Sequence, residues 1–142
     1  MYKRILFSVD LNDDASWRKA LPAALQHCQA FDAELHVLTV VPELPMGVVN
    51  LYFADDAGAR LVKAAKADLA DFVEKRIPAG FRVKRHVAHG TIYTCILDAA
   101  DAVDADLIIM ASHRPAMRDY LLGPNAARVV RHSTRSVLVV RA

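Results

Sequence analysis

The chain has 142 residues, 54% hydrophobic and 24% charged, a balance that suits one ordinary globular domain and excludes a disordered segment. A formal charge of +2 is too small to mark a nucleic-acid binder, whose domains concentrate basic residues on one face. Cys28 and Cys95 form no CxxC pair, the opening MYKRILFSVD lacks the long apolar core of a signal peptide, and no apolar run approaches a membrane-spanning length. The expected setting is therefore reduced and cytoplasmic, with neither membrane nor nucleic acid as partner.

In chain order, Ile5-Leu6-Phe7-Ser8-Val9 reads as a first strand. It ends at Asp10, the first of a polar cluster with Asn12, Asp13 and Asp14. Trp17, Ala20, Leu21, Ala24, Leu25 and Cys28 then recur at helical spacing down to about Ala30. Pro22 interrupts that pattern, so either the helix starts late or it kinks mildly. Glu34 to Val41 is a second strand closed by Pro42. The loop PELPMGVVN follows, with Met46, Val48, Val49, Leu51, Tyr52 and Phe53 available as a lid, a partner surface or a segment tucked onto the core. From Ala54 to Ile77 an alanine-rich stretch with Leu61, Ala65, Leu69, Phe72 and Val73 predicts the longest helix, stopped by Pro78 and Gly80. Phe81 to Ala88 alternates apolar and polar residues, as an edge or half-exposed strand does. His89-Gly90-Thr91 turns into a helix ending near Val103.

The last third, DLIIMASHRPAMRDYLLGPNAARVVRHSTRSVLVVR, organises the chain. Leu107-Ile108-Ile109-Met110 and Val137-Leu138-Val139-Val140 are too short for helices and rich in branched side chains, so both read as strands buried on both faces. Between them Gly123-Pro124-Asn125 reads as a helix start, because a proline in the first turn gives up an N–H that has no intrahelical partner. That helix runs roughly to His132. Five strands alternating with four helices predict an α/β fold, an open doubly wound five-stranded parallel sheet with helices on both faces. No internal repeat, low-complexity tract or linker divides the chain. Ligands of such sheets sit beyond the carboxyl ends of the strands, which brings Ala111-Ser112-His113-Arg114 and Gly123 to one rim.

Several chemistries fail on residues. A phosphorelay receiver needs an aspartate ending the third strand and a lysine ending the fifth, where this chain has His89 and Arg141 or their near neighbours. A flavodoxin-like protein wants a phosphate loop after the first strand, but DLNDD is acidic and repels phosphate. Ser112 lacks the G-x-S-x-G turn of a hydrolase. The six histidines have no metal spacing, and Cys28 and Cys95 read as single buried thiols.

The strand ending in Val9-Asp10, Gly90 before the third helix, IIMASHRP, and the closing LLGPNA, VVRHS and SVLVVR together resemble the universal stress protein family over essentially the whole chain. The ASHRP and LLG-x-NA wording is similar to its F and G branch. The resemblance implies a homodimer, paired through the last strand at Val137 to Val140, that binds ATP or AMP. It implies phosphates held by a loop of form G-x2-G-x9-G-[ST], with any Mg²⁺ carried by the nucleotide. It also implies a stress-response sensor or adaptor with an unknown protein partner, the rivals being a slow ATPase and an interaction module without nucleotide.

Carried over residue by residue, Ser8, Val9 and Asp10 match the adenosine-contacting end of the first strand, with Asp10 accepting from ribose or adenine. Asp10 as a helix-capping acid is the plainer alternative. Val40 matches the position that packs on adenine, although a valine there is buried in any such sheet. Met110 and Ala111 match the backbone edge near the ribose, and Ser112 and His113 the start of the phosphate loop. His113 either donates to a phosphate or ribose oxygen or is a solvated loop residue. Arg114 points either to phosphate or to solvent. Arg118, Arg128 and Arg131 read as surface charges. The chain departs from the family loop at Ala111, Arg114 and Pro124, and the interval to Gly123 is one residue short. Arg114 gives up close backbone approach but offers a guanidinium, while Pro124 removes a hydroxyl and an amide donor. Each lost hydrogen bond to a charged group is worth about 1.5–3 kcal/mol. Gly123 and Asn125 still offer N–H groups at a helix start, which favours anions by roughly 0.3–2 kcal/mol.

Overall fold

The computed structural model describes residues 1–43, 54–112 and 123–142. The expectations placed on 44–53 and on His113, Arg114 and Arg118 lie outside the described residues. Among the described residues five strands, β1 (Arg4–Ser8), β2 (Glu34–Val41), β3 (Val83–His89), β4 (Leu107–Ser112) and β5 (Ser136–Arg141), alternate with four helices. The helices are α1 (Ala20–Phe31), α2 (Ala54–Arg76), α3 (Ile92–Val103) and α4 (Pro124–His132). All pairings are parallel, in the order β3-β2-β1-β4-β5. The chain winds outward from β1 through β2 to β3, then crosses back to β4 and continues to β5.

Side chains alternate between the two faces of each strand, so one strand feeds two cores. Ile5, Phe7, Val9, Leu35, Val37, Leu107 and Ile109 pack against Leu21, Ala24 and Cys28 of α1 and Leu69 and Phe72 of α2. Leu6, Leu38, Ile108 and Met110 pack against Ile96 and Ala100 of α3 and Ala126 and Val129 of α4. Each fully buried Leu, Ile or Phe contributes about 1.5–3 kcal/mol of transfer free energy. The central strands β1 and β4 are therefore nearly free of polar side chains.

Pro22 falls in the first turn of α1, where it breaks no hydrogen bond, so the helix starts late and needs no kink. Trp17 lies ahead of it in the turn after β1, edge-on to Phe72 at 5.5 Å between centroids and under the Arg76 guanidinium at 4.6 Å. It pins the loop carrying Asp10 against α2. Val137 to Val140, expected to be buried on both faces, are only half-buried, because β5 is an edge strand with β4 as its one neighbour in the sheet. Cys28 is buried and Cys95 only half-buried, a correction to the paired expectation. Burial raises the Cys28 thiol to about 11, with Arg82 opposing, so it stays a protonated core group. His89 and Arg141 do end β3 and β5. No helix among the described residues is long and apolar enough to cross a membrane.

A polar pair that the sequence pattern did not reveal joins β2 to the edge strand β3. His36, only 4% exposed, has its Nδ1 2.8 Å from His86 Nε2. The rings are 5.0 Å apart and inclined by 21°. Glu34 Oε1 approaches His36 Nε2 to 2.7 Å, but off the hydrogen-bonding direction, so the contact is electrostatic and Nε2 lacks a directed partner. Lys84 Nζ lies 3.6 Å from the same carboxylate oxygen. Burial, then the fields of His36 and Lys84, hold His86 below its ordinary range, and Glu34 only partly offsets them. Burial opposes ionisation of Glu34, but His36 and Lys84 outweigh it and hold the carboxyl low.

An unfolded chain therefore takes up a proton at His86 before the folded chain does. The stability tied to the neutral ring is complete above the ordinary histidine value of 6.5 and is lost as pH falls from there through the lower folded-state value. Thermal melts from about pH 7.5 down to about pH 5 should record falling stability, with a shallower slope in His86→Gln. Parallel slopes for the two proteins would contradict this account of the pair.

Candidate functional site

The order reversal between β1 and β4 leaves a gap at their carboxyl ends, because the connections from these strands leave toward opposite faces. Two adjoining clefts occupy it. The larger, about 420 Å³, is floored by Val9, Val40, Val41 and Ile92 and walled on the α2 side by Leu61, Ala64, Ala65 and Asp68. Ser8, Asp10, Asn12, Thr39 and Glu43 supply its polar rim. The smaller, about 180 Å³, runs between the ends of β1 and β4 and the start of α4, lined by Met110, Ala111, Gly123, Pro124, Asn125 and Ala126. Ser8, Asp10 and Ile92 border both, so the two form one continuous groove.

Asp10 is held by its own loop. Its N–H donates to Ser16 Oγ at 2.9 Å, and the Ser16 hydroxyl donates back to its carbonyl at 2.8 Å. Asn12 N–H donates to Asp10 Oδ1 at 3.0 Å. The exposed carboxylate is thus oriented, and Oδ2 takes no hydrogen bond among the described residues. The capping acid is Asp13, which accepts from Ala15 N–H at the 3-10 turn Asp14–Ser16, so the capping alternative for Asp10 does not hold.

Two glycines shape the rim. Gly90, at φ +145°, sends the chain from β3 into α3 while its N–H donates to Val41 O at 3.0 Å, and a Cβ there would come 3.3 Å from Cys95 Sγ. Gly123, at φ +85°, precedes Pro124 at the first position of α4, and no side chain caps that helix. Asn125 and Ala126 line the smaller cleft, and their first-turn amides have no intrahelical acceptor. Near the larger cleft, burial raises the Cys95 thiol, and the Asp98 and Glu43 carboxylates raise it further. The local field is negative.

Of the residues proposed from sequence, Ser8, Val9, Asp10 and Val40 border the larger cleft, and Ser8, Asp10, Met110, Ala111, Gly123, Pro124 and Asn125 the smaller. Ser112 is buried and lines neither. His113 and Arg114 lie outside the described residues. Thr39, Glu43, Leu61, Asp68 and Ile92 were missed. Leu61 and Ala65, which mark the helical spacing of α2, both line the cleft, and Leu61 is 39% exposed. Their spacing with Asp68 on one helical face was the available signal. Among the described residues no group of three or more His, Cys, Asp or Glu is arranged to hold a metal ion.

The groove, a small apolar slot leading to a bare helix start, is the kind of site that accepts a ring with an anionic tail. Known proteins with this fold extend the comparison. Residues 1–141 match the universal stress protein family. Universal stress protein G of Salmonella typhimurium is 32% identical, with 99% of this chain and 100% of the relative covered. The solved structure of MJ0577, a universal stress protein of Methanocaldococcus jannaschii, superposes with a TM-score of 0.76 at 29% identity, covering 100% of this chain and 97% of that one. A universal stress protein solved in complex with cAMP superposes with a TM-score of 0.71 at 25% identity, covering 99% and 97%. The family match spans nearly the whole chain and the relatives are covered almost end to end, so this chain belongs to the universal stress protein family.

Proposed function

We propose that this chain binds an adenine nucleotide, ATP or AMP, in the groove between β1, β2 and α4, as one cytoplasmic domain that works as a stress-response sensor or adaptor. The observation carrying this reading is the continuity of an apolar slot with an uncapped helix N-terminus. The slot takes the base and the helix start takes the phosphates. Val9 and Val40 pack on adenine, and the oriented Asp10 carboxylate, with Ser8 beside it, accepts from ribose hydroxyls. Met110 and Ala111 border the ribose. The amides at Gly123 and Asn125 receive the phosphate tail, with Pro124 fixing the helix start. His113 and Arg114, next in the chain after β4, are assigned to the phosphates, and Mg²⁺ arrives with the nucleotide. Ser112, buried away from the groove, drops out of the set. A relative crystallised with cAMP supports the ligand class.

Calorimetry separates the roles. Asp10→Ala should weaken adenosine roughly tenfold, the worth of a hydrogen bond to a charged acceptor, and leave 2′,3′-dideoxyadenosine unchanged. Equal losses for the two would reject the ribose role. Arg114→Ala should weaken ATP by about tenfold or more and adenosine little. An equal effect on both would make Arg114 a surface charge.

The homodimer belongs to the same proposal. β5 presents a free edge with half-buried Val137, Leu138, Val139 and Val140, and pairing with a second copy would cover it. Sedimentation equilibrium should give a dimer, and Val139→Lys should shift it to monomer with the circular dichroism retained. A variant that stays dimeric would move the interface elsewhere.

A further inference from the structure

The groove has an electrostatic imbalance that bears on which nucleotide it takes. Asp10, Glu43 and Asp68 line the larger cleft, and neither it nor the smaller cleft, which also takes in Asp13, has a lysine, arginine or histidine among its described lining residues. None of these three carboxylates pairs with a cation among the described residues. Residues 44–53 contain no Lys, Arg, His, Asp or Glu, and 113–122 contain two arginines, one histidine and one aspartate, a formal net of +1 with the histidine neutral. Arg114 and Arg118 together therefore cannot cancel three carboxylates, even if both turned inward.

The helix start of α4 attracts an anion, but its pull is equivalent to about half an elementary charge and fades within a turn. Carboxylates on a partly enclosed, apolar-floored surface repel a phosphate chain over a range of about 8–10 Å at ordinary ionic strength. A neutral nucleoside feels none of this repulsion. A singly charged phosphodiester feels little, and a triphosphate feels the most.

We infer that the groove selects its ligand by charge, with Asp68 and Glu43 as the discriminating residues, so that without divalent cations it favours adenosine and singly charged adenine nucleotides over ATP. This rests on the nucleotide-binding reading above and refines its ligand class. Both side chains stand on the rim, from α2 and from the end of β2, where they act on the phosphate chain through space while leaving the base slot apolar. ATP becomes a good ligand only when a divalent cation neutralises part of its tail.

The test is calorimetry of the full chain with adenosine, cAMP, AMP, ADP and ATP in EDTA at about 20 mM salt. Affinity should fall with ligand charge, by at least about tenfold from adenosine to ATP. The gap should shrink when salt is raised to about 500 mM, where charges are screened beyond a few ångströms. Added Mg²⁺ should tighten ATP and leave adenosine unmoved. The double variant Glu43→Gln with Asp68→Asn should raise the ratio of ATP to adenosine affinity by about tenfold in EDTA. ATP binding in EDTA as tightly as adenosine, or a ratio that the double variant leaves unchanged, would overturn charge selection while leaving nucleotide binding intact. Failure of all five ligands to bind would remove the nucleotide reading itself, and this inference with it.

Discussion

Parallel strands cannot be joined by tight turns, so each connection in this chain must cross a face of the sheet. The crossovers after β1 and β2 lie on one face, and those after β3 and β4 on the other. Between β1 and β4 the direction of winding reverses. Among the described residues the two neighbouring crossovers leave a groove above those strand ends, bordered by Asp13 and Ser16 on one side and the start of α4 on the other. The groove is thus a consequence of connectivity before it is a consequence of any side chain. Its chemistry then depends on which residues each strand happens to end with: Ser8-Val9-Asp10 on one side, Met110-Ala111 on the other.

The same geometry explains what could be read from the chain. β1, β2 and β4 are legible because strands buried on both faces are dominated by apolar residues, and runs such as Leu107 to Met110 satisfy that without knowledge of the fold. Val137 to Val140 have the same composition but lie at the edge. Local sequence does not separate the two cases, since neighbour count in a sheet is a property of topology. The late start of α1 was legible from Pro22 because the proline restriction is local. The rim of the groove was legible at Asp10, Gly123 and Asn125, which close or open elements. Leu61 and Asp68 were not, because a helix can turn part of its apolar stripe onto a cleft, and periodicity reports the stripe without its partner. His36 and His86 are 50 residues apart and meet only once the β2 and β3 register is set, with His36 beside Lys84 and Leu38 beside His86.

Polar groups are distributed unequally along the strands. The amino-terminal ends of β1, β4 and β5 are tied by paired charges: Arg4 to Asp104 at 3.0 Å, and Arg135 to Asp101 and the Ala105 carbonyl. Lys3 and Arg4 also donate backbone N–H groups to Asp106. Charges are matched there by protein partners. At the carboxyl ends Asp10 is oriented by backbone and a serine, and Glu43 and Asp68 have no cationic partner among the described residues. A protein stabilised at one end of its sheet by closed ion pairs can leave groups unpaired at the other, where they are free to interact with something outside the chain.

That asymmetry bears on the altered phosphate loop. Where the family pattern has glycines and a hydroxyl, this chain has Ala111, Arg114 and Pro124, so fewer backbone donors reach a phosphate tail. Pro124 fixes the helix start but contributes no N–H, leaving the amides of Asn125 and Ala126 as the first-turn donors. Weaker donation on the phosphate side and carboxylates on the nucleoside side act in the same direction. In the proposed complex both shift binding energy from the tail to the base and ribose, to which the proposal assigns the apolar slot and the Asp10 carboxylate. In that proposed complex each added phosphate costs affinity until its charge has been neutralised by a cation that arrives with it.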